Sequence, residues 1–180
     1  MLGPKAFGAI ALLLIAAAAA PAGAGERDAN GVPVPIPVSA QTAFHDISLL
    51  QDLAGRWSGI GSALYSDGSN EQLRCVATYS PDRKGPAVHQ AIRCKGAAMD
   101  LKLGGAWTIK DGTIAGTWTE ETYSLSGSLN GKAATAGFDV KATSTFADVA
   151  VAVRLSGCTQ DIVMTFSQQI DRMHLALHKC

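Results

Sequence analysis

The spacing of apolar residues divides the chain into one helical stretch and a long run of strand-like alternation. "SAQTAFHDISLLQDLAG" sets Phe44, Ile47, Leu50 and Ala54 at helical spacing, and Leu49 and Leu53 widen the stripe. Ser39 or Thr42 is placed to cap the start of this helix, and Gly55 to take the left-handed position that ends it. From Arg56 onward, apolar and polar residues alternate, with turn chemistry roughly every eight to twelve residues, the mark of an all-β sandwich or barrel. Strands are expected at Trp57–Ser66, Glu71–Tyr79, Val88–Lys95, Met99–Ile109 (broken at Gly104-Gly105), Thr113–Thr119 and Ser124–Asn130. They continue at Ala136–Ala142, Thr145–Leu155, Thr159–Ser167 and Arg172–His178, with tight turns at Asp67-Gly68, Asp111-Gly112 and Asn130-Gly131. Sequential strands usually neighbour one another, so the expectation is an antiparallel up-and-down β-barrel of about eight to ten strands with one short N-terminal helix.

The turn at Asp111-Gly112 fixes a register. Ile109 then faces Ile114 and Trp107 faces Gly116, so Trp107, Ile109, Ile114 and Trp118 share one apolar face. In the first strand, Trp57, Gly59 and Gly61 alternate on one face. Two bare positions above a large plug either leave room for a ligand or let a neighbouring side chain pack on backbone.

The four cysteines are Cys75, Cys94, Cys158 and Cys180. None has zinc-motif spacing, and an even count in an exported chain favours disulfides. Setting Cys75 opposite Cys94 puts Leu73, Ala77, Tyr79 and Ile92 on the same face, with Arg74 and Arg93 on the other. A bridge across that loop of about 20 residues adds roughly 3 kcal/mol on the chain-entropy model. Cys158–Cys180 follows by elimination. Strict opposition would mix Ile162 and Met164 with His174 and Ala176, whereas a shift of one residue puts Ile162, Met164 and Phe166 beside Met173, Leu175 and Leu177. The hydrophobic register is preferred, with the two cysteines offset by one at the strand ends.

The N-terminus changes the compartment. Lys5, the apolar run Ala6–Ala20 and the small-x-small Ala22-Gly23-Ala24 form a signal peptide over residues 1–24. The run is shorter than the roughly 20 residues that span a bilayer, so no membrane span is expected after cleavage. Residues 25–40 hold Pro33, Pro35 and Pro37 at alternate positions and read as a polyproline-like arm, either a tether or an insert into a partner. Residues 41–180 form the helix and barrel domain, in a periplasmic or secreted protein. With 15 basic against 15 acidic side chains, the charge balance gives no footprint for nucleic acid.

Catalytic and cofactor motifs are missing: there is no G-x-S-x-G, Walker loop or dinucleotide fingerprint. His174 and His178 are about 13 Å apart on a strand, too far to share a metal ion. Glu120 and Glu121 point to opposite faces of any strand and so make no acid–base pair. The expectation is a protein that is not an enzyme and holds no metal or cofactor. The aromatic residues Trp57, Tyr65, Tyr79, Trp107 and Trp118 are the candidates for the barrel interior, as core or as a ligand cage.

"LLQDLAGRW", a helix running into Gly55-Arg56-Trp57, resembles the lipocalin (calycin) entry motif, in which the Trp seals the barrel base. The resemblance implies a basic residue from a late strand packed on that Trp, with Arg154 or Arg172 in the part. "LAGRWSGIGSALYSDGSNEQLRCVATY", with "AIRC" and "GTW", also looks like uncharacterised exported proteins of alphaproteobacteria. Leu53, Gly55, Trp57, Cys75, Cys94, Trp107, Asp111 and Gly112 are similar in pattern to bacterial inhibitors of secreted metalloproteases, small barrels whose N-terminal arm plugs the protease cleft. Two functions follow: a carrier of a small apolar or amphipathic ligand, or an interaction module with a protein partner. An apolar cavity above about 300 Å³ favours the first, and a filled barrel with an exposed apolar patch favours the second.

Overall fold

The computed structural model describes residues 37–83 and 85–180, without the side chain of Phe44. Residues 1–24, read above as a signal peptide, and most of the Pro-rich arm lie outside the described residues. Helix α1 (Val38–Leu53) leads into ten strands: β1 (Gly55–Tyr65), β2 (Asn70–Pro81), β3 (Ala87–Lys95), β4 (Asp100–Lys110) and β5 (Thr113–Glu120). The second half follows as β6 (Leu125–Ala134), β7 (Gly137–Thr143), β8 (Asp148–Ser156), β9 (Thr159–Phe166) and β10 (Ile170–His178). Each strand pairs antiparallel with its sequence neighbour, and β10 closes on β1, giving a closed up-and-down barrel. Closure leaves no unpaired edge, so every strand has a ladder on both sides.

Helix α1 differs in phase from the sequence reading. Its buried positions are Asp46, Leu49, Leu50 and Leu53, whereas Ile47 is 54% exposed. The helix begins at Val38, inside the stretch that proline spacing assigns to the arm, and Pro37 is its N-cap with no side-chain cap bond. Thr42 donates instead to the Val38 carbonyl (3.0 Å), and Gly55 carries the positive φ (112°) that turns the chain into β1.

One turn assignment and one strand break are corrected. Asn130-Gly131 lies inside β6, paired with Lys141 and Val140, and the chain turns at 135–136. A Cβ on Gly131 would stand 2.1 Å from the Asp139 carbonyl oxygen, so this glycine serves close strand packing. Gly104-Gly105 does not break β4, which pairs continuously with β3 through Ala91 and Gln90. The Asp111-Gly112 hairpin is as read, with positive φ at both residues (52° and 70°), and Ile109 faces Ile114 while Trp107 faces Gly116.

Both disulfides form. Cys75 lies directly opposite Cys94, with Cα atoms 4.2 Å apart. In the β9–β10 ladder Ile162 faces Leu175 and Met164 faces Met173, the register shifted by one, and Cys158–Cys180 bridges the strand ends with Cα atoms 5.5 Å apart. The buried sulfurs of Cys75 and Cys94 join Trp57, Ala63, Leu73, Met173 and Leu175 in a solid core under β1, β2 and β10.

Candidate functional site

The meander sorts the turns into two ends. Helix α1 and the β2–β3, β4–β5, β6–β7 and β8–β9 turns lie at one end, and the other five turns lie at the opposite end. The helix end is closed. Trp57 is fully buried and its indole N–H donates to the Leu53 carbonyl (2.8 Å). Asp46 accepts from the Gly112 backbone N–H (3.1 Å), tying the helix to the β4–β5 turn. The cation over Trp57 is Lys179, whose Nζ lies 4.6 Å from the ring centroid and donates to the Asp52 carbonyl. Neither Arg154 nor Arg172 takes that part: Arg154 pairs outside the barrel with Asp139 (2.7 Å), and Arg172 is exposed beside Thr165. Lys179 follows the last strand and is thus at the closed end; Arg172 lies toward the open end, and Arg154, though near the closed end, is turned outward to Asp139.

A cavity of about 780 Å³ occupies the rest of the barrel interior. Its walls come mainly from β4 to β9, with Leu103, Leu129, Phe138, Val140, Val151 and Met164 among the apolar side chains. Its mouth lies among the turns opposite α1, where Asp67, Ser69, Tyr123, Ala147 and Gln168 line it. Tyr123 and Phe146 stand 64% and 68% exposed on these turns.

Of the five aromatic candidates, Tyr65, Tyr79 and Trp118 line this cavity. Trp57 and Trp107 do not. Trp57 belongs to the closed end, and Trp107 packs on Phe138 (ring centroids 5.4 Å apart) over the bare backbone of Gly116. Gly59 and Gly61 also leave no ligand space. A Cβ on Gly59 would meet the Ala176 carbonyl oxygen at 2.1 Å, and one on Gly61 would meet Leu175 at 2.6 Å and the Cys75 sulfur at 3.2 Å. The aliphatic lining of β6 to β9 was readable as inward alternation, but a search led by aromatic residues passes over it.

The polar groups of the cavity sit at its two ends. At the mouth, the Tyr65 hydroxyl donates to Glu71 (2.8 Å), and that bond pushes its pKa up to about 12. Glu71 also accepts from the Ala98 and Met99 backbone N–H groups, and these bonds hold its carboxyl below the usual range. Glu120 is buried with both oxygens engaged, by the Lys102 N–H (3.0 Å) and the Tyr123 N–H (2.7 Å). Its neighbour Glu121 faces outward and pairs with Arg93 (3.3 Å). At the floor, Tyr79 and Gln90 are cross-strand partners. Gln160 donates to the Tyr79 hydroxyl (3.1 Å), and Gln90 accepts from the Trp107 indole (3.1 Å). His174 and His178 lie on β10 and are exposed, His174 against Asp161 (3.0 Å).

This geometry is that of a closed up-and-down β-barrel with one plugged and one open end. The solved structure of Rv2717c from M. tuberculosis matches it with a TM-score of 0.63 at 13% identity, over 75% of this chain and 97% of that one. The S-type phycobiliprotein lyase CPES from Guillardia theta matches with a TM-score of 0.57 at 6% identity, over 81% of this chain and 98% of that one. At such identities the likeness is one of fold. No protein-family model matches the chain, and no curated protein matches it in sequence. The patterns shared with exported alphaproteobacterial proteins and with metalloprotease inhibitors thus find no support at the sequence level.

Proposed function

We propose that this protein is an exported, non-catalytic barrel that holds a small apolar or amphipathic ligand in the cavity opposite the α1 plug. The observation that carries the reading is the size and lining of that cavity: about 780 Å³, walled chiefly by aliphatic and aromatic side chains. Small-molecule sites run from roughly 300 to 1,000 Å³ and are lined in this way. A monomeric barrel that only needed to fold would fill its interior, because protein cores pack close to crystal density. The interaction-module reading calls for a filled barrel and has less support. The likeness to a phycobiliprotein lyase fits a barrel that receives a ligand, while its 6% identity transfers no residue role. Export rests on the leader sequence and on two disulfides, which persist in oxidising compartments.

The test is fluorescence titration with N-phenyl-1-naphthylamine, a neutral apolar dye. The reading expects saturable binding at one site, lost in Ala142→Phe and Val151→Trp, which fill the cavity from β7 and β8. No saturable binding by a folded wild-type chain would overturn it.

A further inference from the structure

The charged residues that line the cavity are Asp67 and Glu120, both acids, and no Lys, Arg or His side chain is among the described lining. An anion taken inside would lose its hydration with no counter-charge, with the buried carboxyl of Glu120 near its path and the exposed one of Asp67 at the mouth, which is unfavourable in a dry interior. The floor, by contrast, presents hydrogen-bond donors. Gln90 uses its carbonyl oxygen on the Trp107 indole, so the side of the amide left for the cavity is its N–H groups. Tyr79 lines the cavity beside it, 2% exposed, and accepts from Gln160, which leaves its own hydroxyl proton to give. Burial pushes the Tyr79 hydroxyl pKa up, so it stays protonated and remains a donor. Gln160 is fully buried and its side-chain oxygen has no hydrogen-bond partner among the described residues. Buried polar groups are rarely left so.

Resting on the carrier reading, we infer that the ligand is a neutral, elongated apolar molecule with a carbonyl or hydroxyl oxygen at its deep end, received by Tyr79 and Gln90, and that anionic amphiphiles are excluded. The class is that of long-chain alcohols, ketones and related neutral lipids, as distinct from free fatty acids.

Two dyes built on one scaffold test the charge rule. N-phenyl-1-naphthylamine is neutral, and 8-anilinonaphthalene-1-sulfonate adds a sulfonate. The neutral dye should bind at least about tenfold more tightly to the full mature chain, a difference of about 1.4 kcal/mol. Hexadecan-1-ol should displace it, and hexadecanoate of equal length should not. Tyr79→Phe should weaken displacement by the alcohol about fivefold, the value of one hydrogen bond, in a variant whose β-sheet circular dichroism matches wild type. Equal or tighter binding of the sulfonate or of hexadecanoate, in competition with the neutral dye, overturns this inference and leaves the carrier reading standing. Unchanged displacement by the alcohol in Tyr79→Phe overturns the deep-end assignment. Failure of all four probes to bind would sink the carrier reading and this inference with it.

Discussion

The ammonium of Lys179 stands 4.6 Å from the ring centroid of Trp57 and donates to the Asp52 carbonyl at the end of α1. One side chain thus joins the C-terminal end of the barrel to both the plug and the helix that covers it. A cation over an indole is worth roughly 0.5–2 kcal/mol, more when desolvated. Lys179→Met keeps the stem and removes the charge, so its melting temperature should fall by a few degrees, about 2–4 °C per kcal/mol for a chain of this size. Lys179→Arg should recover most of that loss. Trp57→Ala should cost about 3–5 kcal/mol. An unchanged melting temperature in Lys179→Met would deny the lysine its part in sealing the base.

Gly59 is the position in β1 where the barrel tolerates least. Its Cβ would stand 2.1 Å from the Ala176 carbonyl oxygen, a backbone atom that moves only with β10. Gly59→Ala should therefore destabilise by about 1–3 kcal/mol, the usual cost of overpacking. Gly85→Ala, where a Cβ meets nothing within 4 Å, should be close to neutral. Chemical denaturation of the two variants decides the point, and equal midpoints would contradict the packing described for the filled side of the barrel.

At the mouth, Glu71 clasps the β3–β4 turn through the Ala98 and Met99 N–H groups while accepting from Tyr65. Its folded pKa lies below the ordinary 4.5. The clasp's stabilisation is therefore fully present above the unfolded carboxyl pKa of about 4.3 and is lost as pH falls through the lower folded value. Tyr65, raised to about 12, stays a donor throughout. The Ala98 amide resonance should shift with a midpoint below 4.3 in wild type, and the shift should vanish in Glu71→Gln. A midpoint at the ordinary carboxylate value would remove the clasp.

The chain has three tryptophans, and only Trp118 of these lines the cavity. A bound ligand should thus change mainly the Trp118 emission. Trp118→Phe should abolish most of the ligand-induced change, while Trp107→Phe should keep it. Persistence of the full signal in Trp118→Phe would place the ligand elsewhere.

Much of the barrel was legible where a local rule and a hydrophobic face agreed. The Asp111-Gly112 turn and the alternation around it both select the observed register, and Cys75 opposite Cys94 leaves Arg74 and Arg93 outside. Where rules competed, the hydrophobic face won. It set the β9–β10 register by one residue against the pull of direct Cys158–Cys180 opposition. Asn130-Gly131 misled because glycine serves two purposes: at Gly112 it allows a positive φ, and at Gly131 it admits a close strand. The helix phase was misread because Asp46, buried by its bond to Gly112, occupies the place that periodicity gives to Ile47. The site was less legible than the fold. Inward alternation says which side chains face the axis, but whether they meet depends on barrel girth, and that emerges only when ten strands close. Lys179 was missed for a similar reason, since it lies past the last strand and meets Trp57 only through closure of β10 on β1.

The most direct test of the account is native mass spectrometry of the mature chain, purified from the cells that make it and then exposed to a neutral-lipid extract of the same cells. A single added small-molecule mass should appear, released on denaturation and missing from Ala142→Phe and Val151→Trp variants that retain the wild-type β-sheet circular dichroism. The bare polypeptide mass before and after exposure, in a folded wild-type chain, would contradict the claim that this barrel exists to hold a ligand.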